Sequence, residues 1–124
     1  MIRVSGVNSL KSLLILEKND WQFKEKILNS DTIEKEDVLN KFHIKARYAY
    51  FRKFYELSSN EPKKISKIDI IDQGLIVYFP EGKSFTGEDI VEFHIHGSKA
   101  VQNKFMTELS KIKHFRLAEQ VILK

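Results

Sequence analysis

Apolar residues recur along this chain with two periods, one close to two and one close to 3.6. Ile2-Arg3-Val4-Ser5-Gly6 reads as the end of a strand running into a turn. Asn8 or Ser9 then caps a helix that carries Leu10, Leu13, Leu14 and Glu17 on adjacent turns. Residues 21–42 are charged with a helical pattern, expected as helices over 21–29 and 31–42. Asp31 and Glu34 have the spacing of a capping box, and Ile33, Val38 and Phe42 form a stripe. Residues 43–57 are rich in Tyr and Phe and read as a strand, paired in a hairpin with 65–71 across Ser58-Ser59-Asn60-Glu61-Pro62. Asp72-Gln73-Gly74 is expected to break the run, leaving 75–79 as a short strand buried on both faces. Residues 80–87 are a loop. Residues 89–96 alternate, with Val91, Phe93 and Ile95 on one side and Ile90, Glu92, His94 and His96 on the other. Ser98 caps a helix carrying Val101, Phe105, Leu109 and Ile112, and 114–118 form a last strand. This order predicts an α+β fold over a single domain, 1–124: a mostly antiparallel sheet with flanking helices.

Composition narrows the picture. With 42% hydrophobic and 31% charged residues among 124, the chain is apolar enough to fold. Lys+Arg minus Asp+Glu is 21 − 17 = +4, and the two halves share the excess: 11 against 9 in 1–62, 10 against 8 in 63–124. There is no basic tail. Cys is absent, which excludes disulfides, thiol catalysis and Cys-ligated metal sites. The longest apolar runs, 13–16 and 75–79, fall far short of the roughly 20 residues a membrane span needs. The expected address is the cytoplasm, with no membrane partner.

Four stretches bear on chemistry. Gly82-Lys83-Ser84 invites comparison with a phosphate-binding loop, but a P-loop needs a Gly where Val77 stands and a helix afterwards. No nucleotide site and no catalytic residue is therefore expected. Glu92, His94 and His96 share one strand face at about 7 Å intervals. They read as a metal triplet lacking a fourth ligand, as a wetted polar face, or as hydrogen-bonding groups lining a ligand pocket; no metal site is assigned. Residues 45–55 mix Lys45, Arg47, Arg52 and Lys53 with aromatic rings. They fit a nucleic-acid platform, or an amphipathic strand whose rings are core and whose basic stems lie over them; the second is preferred because the charge is not concentrated in this stretch. The loop at 84–89, with Thr86, bears hydroxyls and two acids beside a Gly.

Three pieces then resemble one family. Ile2-Arg3-Val4-Ser5-Gly6 is similar to I-x-R-I/V-S-G, and Ala46-Arg47-Tyr48-Ala49 to P-R-x-A. Asp72-Gln73-Gly74-Leu75 through Tyr78-Phe79-Pro80 leads into Ser84-Phe85-Thr86-Gly87-Glu88-Asp89-Ile90-Val91-Glu92 and then His96-Gly97, with Arg116-Leu117-Ala118 following later. Together these resemble the N-terminal domain of the TrmE (MnmE) family of tRNA-modification GTPases, which modify the wobble uridine of certain tRNAs. The resemblance implies the folate-binding fold of aminomethyltransferases, a homodimer, and a tetrahydrofolate one-carbon donor (5-formyl or 5,10-methylene) near the dimer interface. It implies a flavin-containing partner, a separate GTPase-domain chain, and tRNA as an indirect partner. Residue by residue it assigns folate contacts to Arg3 and Glu92, with His94, His96 and Thr86 shaping the pocket wall. The family's opening strand, its later Lys-bearing segment, its GTPase and helical domains and its Cys motif have no counterpart, and 20–42 look inserted. The expectation is a stand-alone or truncated N-terminal domain. The alternatives are an RNA-binding module built on 45–55, or a non-functional gene remnant.

Overall fold

Strands of alternating burial can pair only if their apolar sides face one common layer, and the computed structural model shows how this chain solves that. It describes residues 1–6, 9–18, 20–30, 34–57, 70–80, 88–112 and 116–117. The strands are β1 (Ile2–Ser5), β2 (Ala49–Tyr55), β3 (Ile70–Phe79), β4 (Ile90–Ile95) and β5 (Arg116–Leu117). They form one sheet in the order β2-β3-β4-β1-β5, every neighbouring pair antiparallel. The chain is α+β, as its pattern implied.

Ile2, Val4, Phe54, Ile76, Tyr78, Val91 and Phe93 are buried on one side of this sheet. Over them pack a 3-10 helix (Ser9–Leu16) and the α3 helix (Lys99–Leu109; α1 and α2 are defined below). Phe54, Phe93 and Phe105 meet edge-on with centroids 5.0–5.5 Å apart. Such pairs add about 0.5–1.5 kcal/mol each beyond area burial. Ser98 caps α3 by accepting from the Val101 N–H, and Phe105, Leu109 and Ile112 of the expected stripe are buried.

The charged segment forms α1 (Trp21–Leu28) and α2 (Lys35–Phe42). Asp20 caps α1 through the Phe23 N–H and pairs with Lys41 at 2.7 Å, which ties the two helices beside the Phe23–Phe42 ring contact. That Lys41 bond, with the Phe23 N–H second, holds the Asp20 carboxyl below its usual range. Lys11, buried in the 3-10 helix, donates to the carbonyls of Leu28 and Ser30 and so satisfies groups that the end of α1 leaves open.

Several expectations are corrected. Asp72-Gln73-Gly74 does not interrupt a strand: β3 runs unbroken through it. Gly74 is there for space, since a Cβ would stand 2.0 Å from the His94 carbonyl oxygen. Leu75 and Val77 are not buried on both faces; Leu75 is exposed and Val77 half-buried. The expected strand 43–57 starts only at Ala49, because His43 and Arg47 both take left-handed backbone (φ 57° and 69°). The N-cap of α2 is Glu34, with no side-chain cap bond, so the expected start at Asp31 comes three residues early; Asp31 itself lies outside the described residues. The segment after Gly6 is 3-10 rather than α-helical, and it is buried on nearly every side.

Candidate functional site

Antiparallel register brings Arg3 on β1 directly opposite Glu92 on β4. Both residues alternate away from the helices, onto the open side of the sheet. The Arg3 Nε and Nη2 both donate to Glu92 Oε2, at 3.3 and 3.1 Å. Two residues further along β4, His94 points the same way, its Nε2 3.4 Å from Glu92 Oε1. The Glu92 side chain is 15% exposed, against 34% for Arg3 and 37% for His94. The acid therefore sits in the middle of the sheet with a cation on one flank and an imidazole on the other. Val77 is its cross-strand partner on β3, and Leu75 is that of His94. An apolar floor with one carboxylate and flanking donors can receive a flat heterocycle whose N–H groups meet the acid.

The other expected residues are placed differently. His96 lies beyond the last residue of β4 and is exposed. Its N–H and that of Gly97 both donate to Asp72 Oδ2, at 3.0 and 2.8 Å. A Cβ on Gly97 would meet Val101 Cγ1 at 2.4 Å. The His-Gly pair thus makes a tight turn between β4 and α3, held by a carboxylate from β3. Thr86 and the rest of 84–87 lie outside the described residues. Among the described residues, no three His, Asp or Glu side chains converge as a metal site.

Asp89 has a role that the sequence reading did not single out. It is buried, and its Oδ1 accepts from the Tyr78 hydroxyl at 3.2 Å. Its Oδ2 pairs with Lys35 of α2 at 2.7 Å, and its carbonyl accepts from Ser9 Oγ. One acid at the entry to β4 therefore locks β3, α2 and the 3-10 helix. Its place in the Gly-Glu-Asp string was the only signal, and that string does not distinguish a ligand contact from a buried tie.

A cavity of about 220 Å³ lies elsewhere, along β2, lined by Leu16, Phe42, Arg52, Lys53 and Tyr55. Arg52 there is committed to the fold: it donates to the Phe42 carbonyl at 2.9 Å and stacks over Tyr50.

The deciding comparison is at the level of the whole domain. The family model described as GTP-binding protein TrmE N-terminus matches residues 1–120. The chain belongs to the TrmE N-terminal family. A tRNA modification GTPase MnmE of Rickettsia bellii is 34% identical over 119 residues, 96% of this chain and 20% of that protein. Another MnmE, of Pelagibacter ubique, is 53% identical over 60 residues, 46% of this chain and 14% of that protein. The mitochondrial tRNA modification GTPase gtpbp3 of Dictyostelium discoideum is 42% identical over 88 residues, 71% of this chain and 16% of that protein. The chain thus spans a fifth or less of the length of these TrmE relatives. No solved structure matches it. None of the helices among the described residues is long and apolar enough to cross a membrane.

Proposed function

We propose that this TrmE N-terminal domain binds a tetrahydrofolate one-carbon donor on the open side of its sheet, as a dimerising part of a tRNA-modification system. The observation that carries this is the Arg3–Glu92 pair: the two residues expected to hold folate are cross-strand partners, on the side of the sheet opposite the 3-10 helix and α3. The donor set suits the ligand. A pterin offers adjacent N–H groups to a carboxylate, and a glutamate tail offers carboxylates to a guanidinium. Glu92 would hold the pterin edge, Arg3 would hold Glu92 in place or receive a tail carboxylate, and His94 would close the site from two residues further along β4. The bound folate would supply the one-carbon unit. Chemistry on the wobble uridine would belong to the assembly with a GTPase domain and a flavin-containing partner, in the cytoplasm.

Calorimetric titration with 5-formyltetrahydrofolate tests the proposal. Saturable binding weakened at least tenfold by Glu92→Gln is expected. Binding indifferent to that change would remove Glu92 from the site, and no heat of binding to the parent chain would end the folate reading. Light scattering with and without the ligand reads the dimer.

A further inference from the structure

The formal charge of +4 has a definite address. Residues 44–55 hold Lys45, Arg47, Arg52 and Lys53 and no acid, so the other 112 positions balance at 17 cations against 17 acids. The expectation that charge is not concentrated here is corrected: counting by halves gives +2 each only because Glu56 and Glu61, just after the segment, offset two of its four cations. The structure puts the segment on β2, the edge strand of the sheet, and on the loop leading into it. Lys45, Arg47 and Lys53 are exposed, and among the described residues none of them is ion-paired.

The rings nearby divide, with Tyr50 packed against the core and two others turned to solvent. Phe54 is buried, but Tyr48 is 62% and Phe51 59% exposed. Phe51 and Lys53 alternate onto the open side of the sheet, where Phe51 lies opposite Leu75 and Lys53 opposite Gln73. Arg47, held in left-handed backbone, donates its N–H to the Tyr78 carbonyl at 2.7 Å, and the Tyr50 hydroxyl accepts from the Lys45 N–H at 2.9 Å. The loop that carries two of the cations is therefore pinned to the sheet.

We infer that the β2 edge, with Lys45, Arg47, Lys53, Tyr48 and Phe51, is a contact surface for single-stranded RNA. Charge complementarity selects a polyanion, and exposed flat rings between the cations select one whose bases are free to stack. A duplex presents phosphates but keeps its bases stacked internally. A second copy of the chain meeting this surface about a two-fold axis would set the same cations against themselves. Phe51 stands about 12 Å from Glu92 on the same side of the sheet, two strand spacings across and one pleat along. The surface does not depend on whether Glu92 binds folate.

Fluorescence anisotropy of a labelled oligouridylate with the whole chain, between 50 and 200 mM salt, is the test. The expected slope of log affinity against log salt is about −2, from three phosphate contacts on a single strand. Replacing Lys45, Arg47 and Lys53 by Gln should remove most of that slope. Phe51→Ala, at an exposed position that the fold does not need, should weaken binding about five- to a hundredfold with the slope unchanged. A duplex of equal length should bind less tightly than the single strand. Affinities unchanged in both variants would overturn the inference. So would a dimer, seen by light scattering, that Phe51→Ala dissociates while RNA affinity stays the same; the surface would then belong to a second copy. Titration of the same variants with folate keeps the two readings separable, because neither variant touches Arg3 or Glu92.

Discussion

Arg3 spends both Nε and Nη2 on a single oxygen of Glu92, which leaves Oε1 facing His94. The pair is half-screened by solvent, so its worth to stability is small, about 1 kcal/mol or less. Its consequence is positional: the guanidinium fixes the carboxylate rotamer from the β1 side.

Arg3→Gln should therefore change the urea midpoint little, while loosening 5-formyltetrahydrofolate binding about as much as Glu92→Gln does. A double-mutant cycle on folate affinity should show strong coupling between the two positions. Independent, additive losses would mean that Arg3 and Glu92 touch separate parts of the ligand.

Gly74 allows β3 and β4 to pair at all. Its φ is not in the left-handed region; the constraint is the His94 carbonyl oxygen, 2.0 Å from where a Cβ would stand. Backbone cannot swing aside as a side chain does. Gly74→Ala should cost at least about 3 kcal/mol, the upper end of overpacking penalties. Equilibrium urea unfolding would show this. The same variant should also lose folate affinity, since His94 and Glu92 ride on the displaced strand.

Glu108 is buried on α3. Its Oε1 accepts from the Leu57 N–H at 2.9 Å and its Oε2 pairs with Lys111 at 2.8 Å. Burial by itself would raise its pKa, but the Lys111 bond, the Leu57 N–H and the nearby cations outweigh burial and hold it below the usual glutamate value. A carboxyl lowered in the folded state adds stability above its unfolded pKa, about 4.3, and loses it as pH falls through the folded value. The parent should thus lose stability below about pH 4.5, and Glu108→Gln should flatten that acid limb in thermal melts taken from pH 3 to 7. Glu108→Ala, which strands the buried Leu57 N–H, should cost about 1–3 kcal/mol at neutral pH.

Asp72 reaches from β3 to two backbone N–H groups at the β4–α3 turn. Asp72→Ala should cost about 1–3 kcal/mol and speed amide exchange at His96 and Gly97 before it affects the rest of the sheet. Uniform loss of protection across β3 and β4 would show instead that the turn is not held locally.

Some of this was readable from the residues. The alternation at 89–96 placed Val91 and Phe93 in the core and Glu92 and His94 on the opposite side, because the strand period of two is set by backbone geometry alone. Ser98 and the Phe105-Leu109-Ile112 stripe gave α3 for the same local reason. The failures came where a distant partner decides. Asp72-Gln73-Gly74 looked like a breaker because turn chemistry is a local preference, yet a neighbouring strand that approaches too closely for a Cβ makes Gly74 the residue that keeps β3 continuous. Leu75–Phe79 could not be divided into inner and outer sides by composition, since an apolar run fits either a covered face or an open one.

The candidate site divides in the same way. The family motifs named Arg3 and Glu92, and strand alternation chose their side of the sheet. That these residues lie opposite one another, 89 positions apart in sequence, follows only from the β1–β4 register. Asp89 and His96 show the converse: seven positions apart in the same run of motifs, one is a buried tie and the other an exposed turn residue, because burial depends on what packs above each position. The sequence by itself set the fold class, the family and the places of β1, β4 and β5, but it started β2 too early and split β3 in two. Only the tertiary structure decided that Lys45, Arg47 and Lys53 face water beside exposed rings, and that one carboxylate meets one guanidinium on the open side. Side-chain periodicity is local, whereas strand order and register are settled by which apolar surfaces find each other across the whole chain.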